Sequence, residues 1–303
     1  MLNQARDGGH YNLIYKDGDD LRTDVLIMQM IYLMDTLMKS LNVDLKLTVY
    51  QVLAYGSTDG IMECVDYSKT VQDLLKEYKN KLYNYLLQMT LQKAQKSNPE
   101  LKTLQPRSDI KLGPWKENKD PEMISALERI DPIIMNNYIE SLAGYCVITY
   151  LLGIGDRHLE NLMIDNNGKL FHIDFGYAMG EDPKWNPPLF KLTVEMINVM
   201  GGKESEYYTY FENKCVTYFI TLRKHSKLLL NLMHLMVDSN IVVNPKKGIP
   251  LKRESLEMLA QRLILNENEK KAEIYFKKLM KECINSNLGV IYDKVHIIAG
   301  YFG

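Results

Sequence analysis

Between Asp20 and Leu41 the apolar residues Ile27, Ile31, Met34, Met38 and Leu41 recur at steps of three and four, the period of one helical face. The preceding "DGDD" reads as a turn with Asp19 or Asp20 placed to cap that helix, and "YNLIYK" as a short strand ending at Lys16. "LKLTVYQVLAYG" and "GIMECV" read as two further strands, so residues 1–66 form a small mixed unit. From about Lys76 to Arg129 the pattern gives way to Lys, Gln, Asn and Glu, broken by Pro99, Pro106, Pro114 and Pro121. The first part of that stretch is expected to be helical. The run "KSNPELKTLQPRSDIKLGPWKENKDPE" is expected to be a flexible, solvated insertion. Pro132 opens "PIIMNNYIESLAGYCVITYLL", apolar over most of its length and therefore a buried helix, with Gly153 able to stop it. One or two long helices follow from Glu204 to about Asn240, and more helix fills 252–284. In the tail "NLGVIYDKVHIIAGYFG", Leu288, Ile291, Val295, Ile298 and Phe302 share one helical face.

Composition adds mainly exclusions. Apolar residues make up 46% and charged residues 25% of the 303, an ordinary globular balance. With 37 basic and 38 acidic side chains there is no global field to draw the chain to nucleic acid. Cys64, Cys146, Cys215 and Cys283 lie far apart with no C-x-x-C pair, which points away from a zinc site or disulfide framework and toward reduced thiols in a cytosolic protein. No apolar run approaches the roughly 18 residues that span a bilayer, and "MLNQARDGGH" has no signal-peptide core.

The chemistry concentrates in "GIGDRHLENLMIDNNGKLFHIDFG". Two strands flank "DNNG", whose Asn167-Gly168 is a strong hairpin signal because both residues tolerate positive φ. Such a hairpin sets Asn161 at its entry beside Asp174 at its exit, an oxygen pair suited to Mg²⁺ bridging nucleotide phosphates. Protein kinases place a catalytic Asp five residues before the metal-binding Asn; Asp156 stands at that distance from Asn161, and the chain then ends the motif in Asp-Phe-Gly. His158 offers a second candidate base. Taken alone, Asp156-Arg157-His158 would be read as a structural pair and a buried histidine, but the whole set in register reads as a phosphoryl-transfer site. Upstream, Lys16 ends a strand as a phosphate-binding lysine would, and Asp24 is a plausible acidic partner.

These residues resemble one family: the phosphatidylinositol 3-kinases, and within it the class III enzymes. The likeness is carried by "YKDGDDLRTD", "DLKLTVYQVLA", "LAGYCVITYLLGIGDRHLENL", "GKLFHIDFGYAMGEDPK", "PPLFKL" and "MVDSNI". In that superfamily the catalytic loop reads Asp-Arg-His. The resemblance implies an α+β, bilobal protein-kinase-like fold with an incomplete small N-lobe over 1–66 and a large, mostly helical C-lobe over 67–303, interrupted within 76–130. It implies ATP with Mg²⁺ or Mn²⁺, and phosphorylation of phosphatidylinositol at the 3-hydroxyl. Lys16 would hold the ATP phosphates with Asp24 as its partner, Tyr50 would line the nucleotide pocket, and the backbones of Glu63 and Val65 would meet adenine. Asp156, Arg157 and His158 fall in the catalytic loop, with His158 the favoured base; Asn161 and Asp174 would hold the metal. Lys184 and Lys191, in the segment that reads the lipid headgroup, would meet the substrate. The implied setting is cytoplasmic and peripheral on endosomal and autophagosomal membranes, with a regulatory protein-kinase-like subunit and autophagy adaptors as partners. Residues 288–303 would touch the membrane.

Three features depart from the pattern. Fifteen residues precede Lys16, too few for the family's phosphate loop, so the sequence reads as a fragment or a reduced protein. Glu181 stands where a basic residue is expected, and the insertion is long. A nucleotide-binding or scaffold module, or another phosphoinositide kinase, stays open as an alternative on the sequence alone.

Overall fold

The computed structural model describes residues 12–105, 120–185 and 187–285. The expected terminal helix over 288–303, most of the insertion and the segment before Asn12 lie outside these residues. The chain opens on a three-stranded antiparallel sheet of order β1-β3-β2, built from β1 (Leu13–Asp17), β2 (Val52–Ala54) and β3 (Asp59–Glu63). Lys16 faces Gly60 across the ladder. A Cβ at Gly60 would sit 2.5 Å from the Leu53 carbonyl and 2.8 Å from Leu21, so glycine is what lets the start of the next helix seat against the sheet.

That helix, α1 (Arg22–Ser40), buries Ile27, Ile31, Met34 and Met38 as the periodicity predicts. Its cap differs from expectation. Leu21 is the N-cap and makes no side-chain capping bond. Asp20 accepts the Arg22 N–H at 3.1 Å and grips the Arg22 guanidinium, while Asp19 pairs with Lys16 at 3.5 Å. The strand predicted over "LKLTVYQVLAYG" shrinks to β2. Ahead of it Lys46 takes a left-handed φ of 52°, and the Tyr145 hydroxyl takes the Thr48 carbonyl at 3.0 Å. Side-chain contacts to the next layer thus replace a strand ladder there.

A second sheet, β4-β5-β6, joins β4 (Lys69–Thr70) to the hairpin of β5 (Leu162–Ile164) and β6 (Leu170–His172). The hairpin forms with a different turn from the two-residue one predicted. The Gly168 N–H returns to the Asp165 carbonyl and Asp165 accepts the N–H groups of Asn167 and Lys169, so only Gly168 of the tip pair needs positive φ (82°).

The rest is helical. α2 (Val71–Glu77) and α3 (Leu82–Ser97) precede the insertion, whose far end is already ordered as α4 (Pro121–Leu127), capped by Asp120 and tied to α3 through Lys81, Asn84 and Glu122. α5 (Pro132–Leu152) is buried along most of its length. Asp131 caps it through the Ile133 N–H at 2.8 Å, Pro132 sits in its first turn, and Gly153 ends it at φ 58°. Against it or its neighbours pack α6 (Val194–Val199) and α7 (Glu206–Lys224), with α8 (Ser226–Leu235) lying on α9 (Arg253–Arg262), α10 (Glu269–Asn285) lying on α7, and a small ribbon of β7 (Val242–Asn244) and β8 (Ile249–Pro250). One hydrophobic cluster runs without a break from Leu21 and α1 through α5 to Met280 in α10.

Candidate active site

The site is assembled where α5 ends. Gly153 turns the chain, and a Cβ there would lie 2.3 Å from the Gly180 nitrogen; one at Gly155 would lie 2.2 Å from the Glu181 carbonyl. Two glycines therefore allow the segment after Asp-Phe-Gly to lie directly on the loop after α5. Backbone bonds stitch them together: Gly155 N–H to Tyr177, Met179 N–H to Leu152, and Gly180 N–H to Gly153, at 2.8–3.0 Å. Asp156 follows with φ 53°, an uncommon conformation for a non-glycine residue and one held in place by its surroundings. Its N–H donates to Asp182 Oδ2 at 2.9 Å, and its carbonyl accepts from His158 N–H at 3.0 Å and Asn161 Nδ2 at 3.1 Å.

Arg157, only 6% exposed, spends its guanidinium on three carbonyls, those of Gly155 (2.7 Å), Ile173 (2.9 Å) and Asp174, and lies over the Phe175 ring. Burial pushes its guanidinium pKa down, and the Asp174 and Asp156 charges pull it back up. It positions the loop; its fork is turned to backbone rather than to substrate. His158 Nε2 lies 3.9 Å from Asp156 Oδ2 and its Nδ1 lies 3.8 Å from Glu160 Oε2, with Glu160 held in turn by Gln72. The imidazole is thus flanked by two carboxylates.

The Ile173 N–H bonds the Asn161 carbonyl at 3.1 Å, which brings Asp174 alongside Asn161 at the open end of the hairpin. Asn161 is buried and its amide nitrogen is committed to Asp156, whereas Asp174 is exposed at φ 59°. The pair fits a hard cation: one carboxylate and one amide oxygen, with phosphates and water to complete the shell. Among the described residues no group of three or more His, Cys, Asp or Glu is placed to hold a metal by itself.

Behind these groups Tyr50 is buried, its hydroxyl donating to the His172 carbonyl at 3.3 Å, and the His172 ring stacks on Tyr145 at 4.8 Å. At the end of β3, the central strand of the first sheet, the Glu63 N–H bonds the Gln51 carbonyl at 2.8 Å, and just beyond it the Val65 carbonyl accepts the Ser68 hydroxyl at 2.6 Å.

The family model for "phosphatidylinositol 3- and 4-kinase" matches residues 10–245. The chain belongs to this family. It is 40% identical over 99% of its length to a phosphatidylinositol 3-kinase of Schizosaccharomyces pombe, of which it covers 34%. It is 38% identical over 97% of its length to one of Candida albicans, covering 31%, and 37% identical over 96% to one of Saccharomyces cerevisiae, covering 29%. The chain therefore spans about a third of the length of the curated relatives it matches.

Within this family member the structure rearranges several expectations. Asp24 does not pair with Lys16, which is bound to Asp19. Instead Asp24 is buried and accepts the Phe175 N–H at 3.0 Å. Burial raises its carboxyl pKa to about 7, although the Phe175 bond works the other way. Lys191, expected to meet the substrate, is 6% exposed, and its chain neighbours Phe190 and Leu192 are buried too, while Lys184 stays part-exposed. Glu181 is engaged by the Asn244 amide at 2.8 Å, so the acid found in place of a base has a local partner. Sequence reading missed Asp182, whose two oxygens take the N–H groups of Asp156 and Lys184, and the Gln72–Glu160 link to His158. Glu160, two residues after His158, was visible in the sequence; Asp182 and Gln72 act from a distance along the chain that no short spacing encodes.

Proposed function

We propose that this chain is the catalytic part of a class III phosphatidylinositol 3-kinase, moving the γ-phosphate of ATP to the 3-hydroxyl of phosphatidylinositol in a bilobal kinase arrangement. The carrying observation is that Asp156, His158, Asn161 and Asp174 converge on one hairpin end whose backbone Arg157 clamps. The relatives' name, phosphatidylinositol 3-kinase, supports the lipid acceptor. In this reading Asn161 and Asp174 hold Mg²⁺, which neutralises phosphate charge when bound. Asp156 and His158 hold the acceptor hydroxyl and take its proton. Lys16 reaches the ATP phosphates after leaving Asp19, with Tyr50, Glu63 and Val65 around the base. The family resemblance further supports work on endosomal and autophagosomal membranes with a regulatory protein-kinase-like subunit; among the described residues no helix is long and apolar enough to cross a bilayer.

The test is transfer of labelled phosphate from ATP to phosphatidylinositol vesicles. Asp174→Asn is expected to abolish turnover while leaving the fold intact. His158→Ala is expected to spare ATP binding and lower turnover by roughly 10²–10⁴-fold, the usual contribution of a positioned base. Undiminished turnover in both variants would remove the assignment.

A further inference from the structure

The segment after Asp-Phe-Gly is anchored twice and presents one large side chain outward. On the entry side Asp182 fixes the Asp156 and Lys184 N–H groups at 2.9 and 2.8 Å. On the exit side Phe190 is fully buried and stacks on Phe276 of α10, which stacks in turn on Phe219 of α7. Between the anchors stand Pro183, Pro187 and Pro188, whose fixed φ limits the freedom of the tip. Trp185 is at that tip and is 93% exposed, and Leu189 is also exposed.

Fully exposed indole is unusual for so large an apolar group, and a braced tip means that little conformational entropy is lost when it is buried by something else. The surroundings favour one occupant. Lys184 adjoins the indole, while the neighbouring acids point elsewhere: Asp182 into the loop and Glu181 onto Asn244. An amphipathic ring beside a cation is the combination that seats at a bilayer's headgroup level. The exit side also meets the end of α10, where the Cys283 thiol lies against the Leu189 and Phe190 N–H groups.

We infer that Trp185 inserts into the interfacial layer of a bilayer and so sets the depth and orientation at which Lys184 and the catalytic hairpin meet the lipid headgroup. The inference rests on the lipid-kinase reading for the purpose of the contact, but its test does not. The chain has two tryptophans, so Trp115→Phe leaves Trp185 as the sole indole emitter. Adding phosphatidylcholine vesicles containing phosphatidylinositol should shift its emission to the blue, and lipids brominated near the headgroup should quench it. Trp185→Ala should weaken vesicle binding roughly tenfold, as loss of an indole's apolar contact would, without moving the thermal unfolding midpoint. Trp185→Phe should fall between. An emission spectrum unmoved by vesicles, or Trp185→Ala binding vesicles as the parent does, overturns the inference, including the case in which the indole docks on a protein instead. An unmoved spectrum in a chain that phosphorylates phosphatidylinositol overturns this inference alone. A shifted spectrum in a chain that does not phosphorylate it overturns the proposed function alone.

Discussion

A carboxyl group sealed against the backbone of Phe175 has little reason to stay ionised. Asp24 has its pKa raised to about 7, first by burial, and then by the charges of Asp174 and Asp19. A raised folded-state pKa means that the folded chain binds this proton more tightly than the unfolded chain does. The associated stability is present below about pH 4 and is lost as pH climbs toward 7. In the nucleotide-free chain Asp24→Asn keeps an oxygen for the Phe175 N–H and removes the titration. The variant is expected to be more stable than the parent by on the order of 1–3 kcal/mol at pH 7.5. That advantage should shrink as pH falls to 5. Urea unfolding at the two pH values checks it; a gap independent of pH would assign the effect to something other than the proton.

Among the elements, the loop between α5 and β5 depends on α5 ending where it does and on one arginine holding the next turn. Arg157→Lys keeps the charge but replaces a planar fork with a single ammonium, which cannot serve three carbonyls at once. Leaving buried carbonyls unsatisfied costs about 1–3 kcal/mol each. The substitution is therefore expected to destabilise the chain by roughly that amount or more and to lower turnover, while Lys16 and its sheet stay intact. Chemical unfolding together with nucleotide binding separates the two effects. α5 was legible in the sequence because its signals are local: Asp131 and Pro132 at one end, Gly153 at the other and an apolar run between them. So were Asn161 and Asp174, since hairpin strands of matched length bring their ends together. What was not legible depends on layers far apart in the chain. The apolar alternation from Leu45 to Val52 looked like a strand, yet Leu45 and Leu47 pack on Gly144, where a Cβ would lie 2.9 Å from Leu47. Asp24, expected as the acidic partner of Lys16, turns inward because α1 is covered by the turn carrying Phe175, which helical spacing cannot show. The burial of Lys191, expected at the substrate, depends on the tertiary stacking of its neighbour Phe190 on Phe276, which no local spacing shows.

For the whole molecule, under the proposed lipid-kinase reading, the distribution of charge near the Asn161–Asp174 hairpin bears on which lipid is accepted. The segment from Asp174 to Glu195 contains two lysines, and one of them is buried. A ring that already carries two phosphates needs several matched cations, whereas phosphatidylinositol brings only its linkage phosphate. Turnover of the 4,5-bisphosphate is expected to be lower than that of phosphatidylinositol by roughly tenfold, the ratio that about 1.4 kcal/mol of unmatched charge produces. Vesicles of equal surface charge make the comparison, and similar rates on both would contradict the reading.

The stitched backbone beneath the catalytic loop has a kinetic consequence. A segment of this kind would ordinarily be a loop whose amides exchange with solvent within moments. Here the N–H groups of Ala178, Met179 and Gly180 are bonded to Val243, Leu152 and Gly153. The Met179 and Gly180 amides should open only when the end of α5 opens, and the Ala178 amide only when β7 parts from the segment. In residue-resolved hydrogen–deuterium exchange the Met179 and Gly180 amides are expected to persist on the same timescale as the last turn of α5. Exchange at the rate of an unprotected surface loop would show that the two strands of backbone part company without unfolding the helix above them.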